Sequence, residues 1–369
     1  MAYILVISQA IWNPILFTTS SIQVYLASSL LALFTILTSL MRRRSDGTPL
    51  QSDHFPFWVY FSFVMLFLLN IFVLGFESYA LGNFFRISSM VLMLLFIRQF
   101  AFGLEKLVQL YLFLNCGFGT FLVLNFISSG VHISNRISPV GQGSANSFAA
   151  TLAIILILRL SLKDSYSRGE NLLVYFLCFP ITFATILGTY SRGAMVGFLV
   201  GLLVLGIQQI RFIQTSRILI FICLLFFANE YLNFVSYSLF TRYSSSSLLD
   251  SSGRNIIFEN ALEAYSRNPF FGAGFGSKLN PYSSGEASVH NVFLQVIGET
   301  GLIGLGLLII VLAISLLRYS PRLSIPALSC ILIVSLTDNH FLAVQFHLTF
   351  GLVYLTLLRD RQFRVLQSS

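Results

Sequence analysis

Apolar runs close to 20 residues long recur along the whole of this chain, with little charge between them. A helix needs about 20 such residues to cross a hydrocarbon core about 30 Å thick. The chain is 56% hydrophobic and 10% charged, against roughly 25% charged for an ordinary soluble domain. A soluble fold is therefore excluded. The pattern predicts an all-α integral membrane protein of about twelve spans, at 3–19, 22–41, 56–75, 84–100, 107–127, 146–161, 171–189, 194–210, 218–235, 299–318, 324–338 and 341–358. The N-terminus shows neither the basic stretch nor the small-residue cleavage site of a secretory signal.

Basic residues orient these spans. Arg42, Arg43, Arg44, Arg98, Lys106, Arg159, Lys163, Arg168, Arg211, Arg217, Arg318, Arg322, Arg359, Arg361 and Arg364 all fall on one side if the spans alternate. Positive residues mark the cytoplasmic side, so both termini are expected there. The formal net charge of +8 is then largely topogenic charge facing anionic lipid, and needs no nucleic-acid partner. All four cysteines (Cys116, Cys178, Cys223 and Cys330) lie in expected spans without paired spacing, as packing residues would.

Three connections are long: Arg42–His54 on the cytoplasmic side, and Ser128–Ala145 and Ser236–Ser288 outside. The chain therefore divides into N-terminal spans (1–127), central spans (128–235), a large external loop (236–290) and C-terminal spans (291–369). Within the loop, RNIIFENALEAYSR reads as a helix with Arg254, Phe258, Ala261 and Tyr265 on one face, ended by Asn268-Pro269. GAGFG follows without a preceding strand, so it is not read as a nucleotide loop. From Asn291 to Arg318 the chain is too long for one perpendicular span. Either a helix projects outward, or HNVFLQVIGE forms an interfacial helix with a break near Gly298 and Gly301. His290 stands at the outer surface in both cases.

Seven basic residues oppose the topology rule: Arg86, Arg136, Arg192, Arg242, Arg254, Arg267 and Lys278. Arg192 lies in TYSRGA, a short turn between two apolar spans. Taken alone it reads equally as an arginine snorkelling to lipid phosphate, and Arg254 alone as a solvated helix face. Together with His290 they share one side and one depth. Guanidinium groups bind phosphate oxygens bidentately and stay charged, which suits a lipid-linked diphosphate as it leaves. A histidine near a helix N-terminus is held neutral and available as a base toward a sugar hydroxyl. Arg136 and Asn146, in the second outer loop, together with Asn291 and Arg267, are candidates to contact acceptor or glycan. Glu299 reads as a partner of an outer arginine, an aid to His290, or simply a residue at a helix break. No metal-ligand spacing is present, and no metal or cofactor is expected.

HN, nine residues, then GxxG resembles the signature of the O-antigen ligase and polymerase superfamily. SRGA at a span junction, and GRNIIFENALEAYSRNPFFGAGFG before the histidine, are similar to that family's other motifs. The resemblance covers roughly Arg136 to Asp338. It implies a glycosyltransferase of the GT-C type in the bacterial inner membrane, with one large periplasmic loop containing short helices. It also implies an undecaprenyl-diphosphate-linked oligosaccharide as donor, used on the periplasmic side without metal or nucleotide sugar. Arg192 and Arg254 then contact the diphosphate, and His290 is catalytic. The acceptor is a sugar hydroxyl of another repeat unit in a polymerase, or lipid A core or another acceptor in a ligase. A flippase and a chain-length regulator are the accompanying partner proteins. A lipid-linked glycan transporter is the reading from a different class, although no two-half repeat supports it.

Overall fold

The computed structural model describes residues 55–74, 104–128, 145–189, 191–209, 254–274, 279, 289, 291–319, 324–337, 349, 352–354 and 356. Eight helices cover most of these: α1 (Phe55–Leu74), α2 (Leu104–Ser128), α3 (Ala145–Ser161), α4 (Arg168–Gly188), α5 (Arg192–Gln209), α6 (Arg254–Arg267), α7 (Val292–Tyr319) and α8 (Ile325–Thr337). Among the described residues there is no strand. Seven of the helices coincide with expected spans to within a few residues, α7 beginning earlier than expected. The spans expected at 3–19, 22–41, 84–100 and 218–235 lie outside the described residues, as does most of 341–358. Three helical stretches, Leu104–Leu124, Arg168–Gly188 and Val292–Ile310, are long and apolar enough to cross a membrane.

Helix α3 is the centre of the bundle, packed against α2, α4, α5 and α8. Its sequence ANSFAATLAIILILRLS is apolar on every face, and nearly every residue is buried, as a helix surrounded by others requires. Several hydroxyls in these helices bond back one turn, among them Thr120 Oγ1 to Cys116 O at 2.9 Å and Thr185 Oγ1 to Ile181 O at 2.7 Å. Cys116, Cys178 and Cys330 are free and buried, and Cys223 lies outside the described residues. Pro180 cannot donate to the carbonyl one turn back and crowds it. The helix answers with a wider π turn over Val174–Cys178, just ahead of the proline.

Arg159, expected among the topogenic charges at the membrane surface, is instead fully buried. Its guanidinium lies over the Tyr166 ring, 3.2 Å from the centroid, and Nη1 donates to Asn171 Oδ1 at 3.0 Å. Tyr166 in turn donates to Glu105 O at 2.7 Å, tying the ends of α2, α3 and α4 together. Burial pushes the Tyr166 phenol above its ordinary range.

Helices α5 and α8 cross closely because glycines face the contact. A Cβ on Gly197 would stand 2.7 Å from Val334 Cγ2. One on Gly201 would stand 3.1 Å from Pro326 O and 3.3 Å from Cys330 Cβ, and would overlap Ile157 of α3. These contacts set the directions. Helix α8 runs antiparallel to α5; Arg159 near the end of α3 reaches Asn171 in the first turn of α4, and only residues 189–191 separate the end of α4 from the start of α5, so α3 runs parallel to α5. The starts of α3 and α5 and the end of α8 therefore lie at one end of the bundle.

Gly201→Val is expected to lower the melting temperature in detergent, because overpacking a close crossing costs about 1–3 kcal/mol. Gly206→Val, where a Cβ meets nothing within 4 Å, is the control and should melt as wild type. Equal melting of the two variants would contradict this packing.

Candidate functional site

Helix α7 is broken where a glycine permits it. Gly301 has φ 63° and ψ −156°, a backbone shape that is costly for any residue with a Cβ. In an unbroken helix the amides of Leu302 and Ile303 would bond the carbonyls of Gly298 and Glu299. Here the turn that follows α6 takes both sides of that exchange. Leu302 N donates to Pro269 O at 2.8 Å and Ile303 N to Phe270 O at 3.4 Å. The freed carbonyls of Gly298 and Glu299 accept from Ala273 N at 2.8 Å and Gly274 N at 3.0 Å. The turn is thus inserted into the hydrogen-bond ladder of α7.

The turn is shaped for the purpose. Pro269 stops α6, and the turn closes with Gly272 N donating to Asn268 O at 2.7 Å. Gly272 lies at φ 68°, where a Cβ would stand 2.5 Å from Gly298 O. From α1, buried Asn70 donates through Nδ2 to Phe271 O at 3.1 Å. Above the turn, Ile257 and Ala261 of α6 share a small buried cluster with Leu279 and Val289. Helix α6, its turn and the start of α7 therefore form one body.

Arg192 and Arg254 are the first residues of α5 and α6 respectively. Ser191 caps α5, its carbonyl accepting from Met195 N at 3.0 Å, and Arg192 is exposed. At such an end the backbone N–H groups and the helix dipole favour an anion and disfavour a cation by about 0.3–1 kcal/mol. Neither arginine is placed to stabilise its own helix.

His290 lies outside the described residues, but both its neighbours are described. Val289 is fully buried, and its amide donates to Gln295 Oε1 at 2.7 Å. Asn291 caps α7: its Oδ1 accepts from Phe293 N and Leu294 N, each at 3.0 Å. Its Nδ2 donates to Leu336 O at 3.0 Å, at the end of α8. Since that end of α8 lies beside the start of α5, Asn291 and Arg192 belong to the same end of the bundle.

The remaining expected residues fare differently. Asn146 sits in the first turn of α3 rather than in the loop before it, at the same end as Arg192. Arg267 is exposed on the last turn of α6, where Nη2 donates to Glu263 Oε1 at 2.6 Å. Arg136 lies outside the described residues. Glu299 is buried, and its carboxylate accepts from Gln295 Nε2. Gln295, with no place in any motif, escaped the sequence reading because its main partner is a backbone amide.

Gly301→Ala should release the turn: this backbone shape, open essentially to glycine alone, costs another residue about 1–3 kcal/mol, and the new methyl would overlap Phe270. Amide exchange at Ala273, Gly274, Leu302 and Ile303 is expected to accelerate together. Gly306→Ala, in open space, should leave it unchanged. Unaltered exchange in Gly301→Ala would contradict the inserted turn.

Residues 174–309 match a family model described as O-antigen ligase. The matched segment spans Arg192, Arg254, His290 and the break at Gly301. Comparison with curated proteins gives no match. The family match and the long apolar helices support a multi-pass membrane protein.

Proposed function

From a chain whose O-antigen ligase domain puts it in the O-antigen ligase and polymerase superfamily, we propose a membrane glycosyltransferase that takes glycan from undecaprenyl diphosphate. The reaction breaks the bond between the sugar's anomeric carbon and the diphosphate oxygen. It forms a bond from that carbon to an acceptor hydroxyl. His290 takes the hydroxyl proton, and Arg192 and Arg254 hold the departing diphosphate, whose charge grows as the bond breaks. The observation that carries this reading is that both arginines open helices, where backbone amides, dipole and guanidinium all favour the same anion. Asn146, Asn291, Arg136 and Arg267 belong on the acceptor and glycan side of the site. No metal is required.

In the membrane we propose about twelve spans with both termini in the cytoplasm. The 236–290 loop and the site then face the periplasm. The domain limits are those of the sequence: 1–127, 128–235, 236–290 and 291–369. The first specific reaction is polymerisation: a growing chain leaves its lipid and joins the sugar of another lipid-linked repeat unit, alongside a flippase and a chain-length regulator. The family description favours a second: ligation of finished glycan to lipid A core or another acceptor.

Surface glycan from a deletion strain separates the two. Loss of a polymerase leaves single repeat units on the acceptor, whereas loss of a ligase leaves long glycan on undecaprenyl lipid. Arg192→Ala, Arg254→Ala and His290→Ala should each fail to complement, with activity reduced at least about 100-fold. Normal glycan from the His290→Ala strain would sink the mechanism.

A further inference from the structure

Gln295 and Glu299 stand one turn apart on the first limb of α7, and both side chains are buried. Gln295 works in two directions. Its Oε1 accepts from Val289 N at 2.7 Å, and its Nε2 donates to Glu299 Oε1. A backbone amide can only donate and the carboxylate oxygen here accepts, so the orientation of the Gln295 amide is determined by its partners. The backbone of Glu299 is itself held by Gly274 N through its carbonyl. A continuous path runs from the inserted turn through Glu299 and Gln295 to the residue before His290.

The residue after His290 is held as firmly, by the Asn291 cap and its bond to Leu336 O. The residues on either side of His290 in sequence are thus both pinned by side-chain hydrogen bonds, and consecutive Cα atoms are only about 3.8 Å apart. Folding alone does not call for this arrangement. The Asn291 cap already secures the helix start, and an amide–carboxylate pair buried in an apolar limb gains little or nothing over well-packed apolar side chains. Its return lies in geometry.

We propose that Gln295, oriented by Glu299, is a positioning residue that fixes His290 for proton transfer by gripping the Val289 amide. The inference rests on the reading of His290 as the base. An offset of about 1 Å at a reacting group can cost about 100-fold in rate, so loosening this grip acts on turnover. Binding of the donor diphosphate rests with Arg192 and Arg254 and is left alone.

The test uses the full-length protein in detergent, with undecaprenyl-diphosphate-linked glycan extracted from the deletion strain. Gln295→Leu is expected to lower kcat at least about tenfold with KM for the donor unchanged. Gln295→Glu keeps the acceptor for Val289 N but sets two carboxyl groups against each other, and should lose activity likewise. The exchange Gln295→Glu/Glu299→Gln restores both hydrogen bonds, the Val289 amide donating as before and only the bond between the two side chains reversed, and should recover kcat to within about threefold of wild type. Melting temperatures of the two Gln295→Glu proteins, measured in parallel, show whether recovery is of turnover or of folded protein. Full kcat in Gln295→Leu would overturn the proposal, as would an exchange variant that melts as wild type yet turns over no faster than Gln295→Glu. His290→Ala separates the layers. If it is inactive while Gln295→Leu is fully active, only the positioning role fails; if His290→Ala is itself active, the base assignment fails and this inference with it.

Discussion

The exchange of hydrogen bonds between the 268–274 turn and the break in α7 is the interaction on which the site depends. A break in an apolar helix frees two amides and two carbonyls, and each, if left unpaired away from water, is expensive. Here the four groups of Gly298, Glu299, Leu302 and Ile303 are all met by Pro269, Phe270, Ala273 and Gly274. The arrangement is mutual. The turn has few internal bonds of its own, and α7 could not bend without it. One consequence is length: the limb beyond Gly301 runs from Leu302 to Tyr319, about 27 Å at 1.5 Å per residue. That limb suits a span better than Val292–Ile310, which straddles the break and carries Gln295 and Glu299.

A second consequence is the gathering of helix starts. Helices α5, α6 and α7 begin with Arg192, Arg254 and the Asn291 cap. The α5–α8 crossing, tight at Gly197 and Gly201, carries the order of one end of the bundle to Asn291 through Leu336 O. Ile257, in the first turn of α6, packs with Val289 just before that cap. Charge that develops on a leaving group near such ends meets dipoles already oriented toward it, with little reorganisation at the moment of reaction.

Much of this was legible in the sequence, and for identifiable reasons. Apolar runs set helix positions closely because a membrane span has one length scale. Asn268-Pro269 ended α6 as expected, and of the two readings of the excess length before Arg318, a projecting helix or a break near Gly298 and Gly301, the break is found, at Gly301. Facts that depend on which helix faces meet were not legible. Arg159 has the sequence context of a surface charge, yet it is buried over Tyr166 because α2 and α4 close around the end of α3. Asn146 was read with the outer loop although the expected span opened at it, and the helix begins one residue earlier, at Ala145, since nothing in GQGSAN marks the start. Glu299 was visible as a costly carboxylate, but its partner Gln295 was not, because amide-to-backbone contacts leave no spacing to read.

A transferase acting on a lipid diphosphate turns over without a membrane barrier, and a transporter does not. The most direct measurement follows lipid-linked glycan, by chromatography and mass spectrometry, with purified protein in detergent micelles and no sealed compartment. Donor is expected to be consumed, free undecaprenyl diphosphate to appear in equal amount, and added chelator to change neither. Donor that stays intact in micelles, but moves across the bilayer when the same protein is placed in sealed vesicles, would contradict the transferase reading and make the protein a transporter.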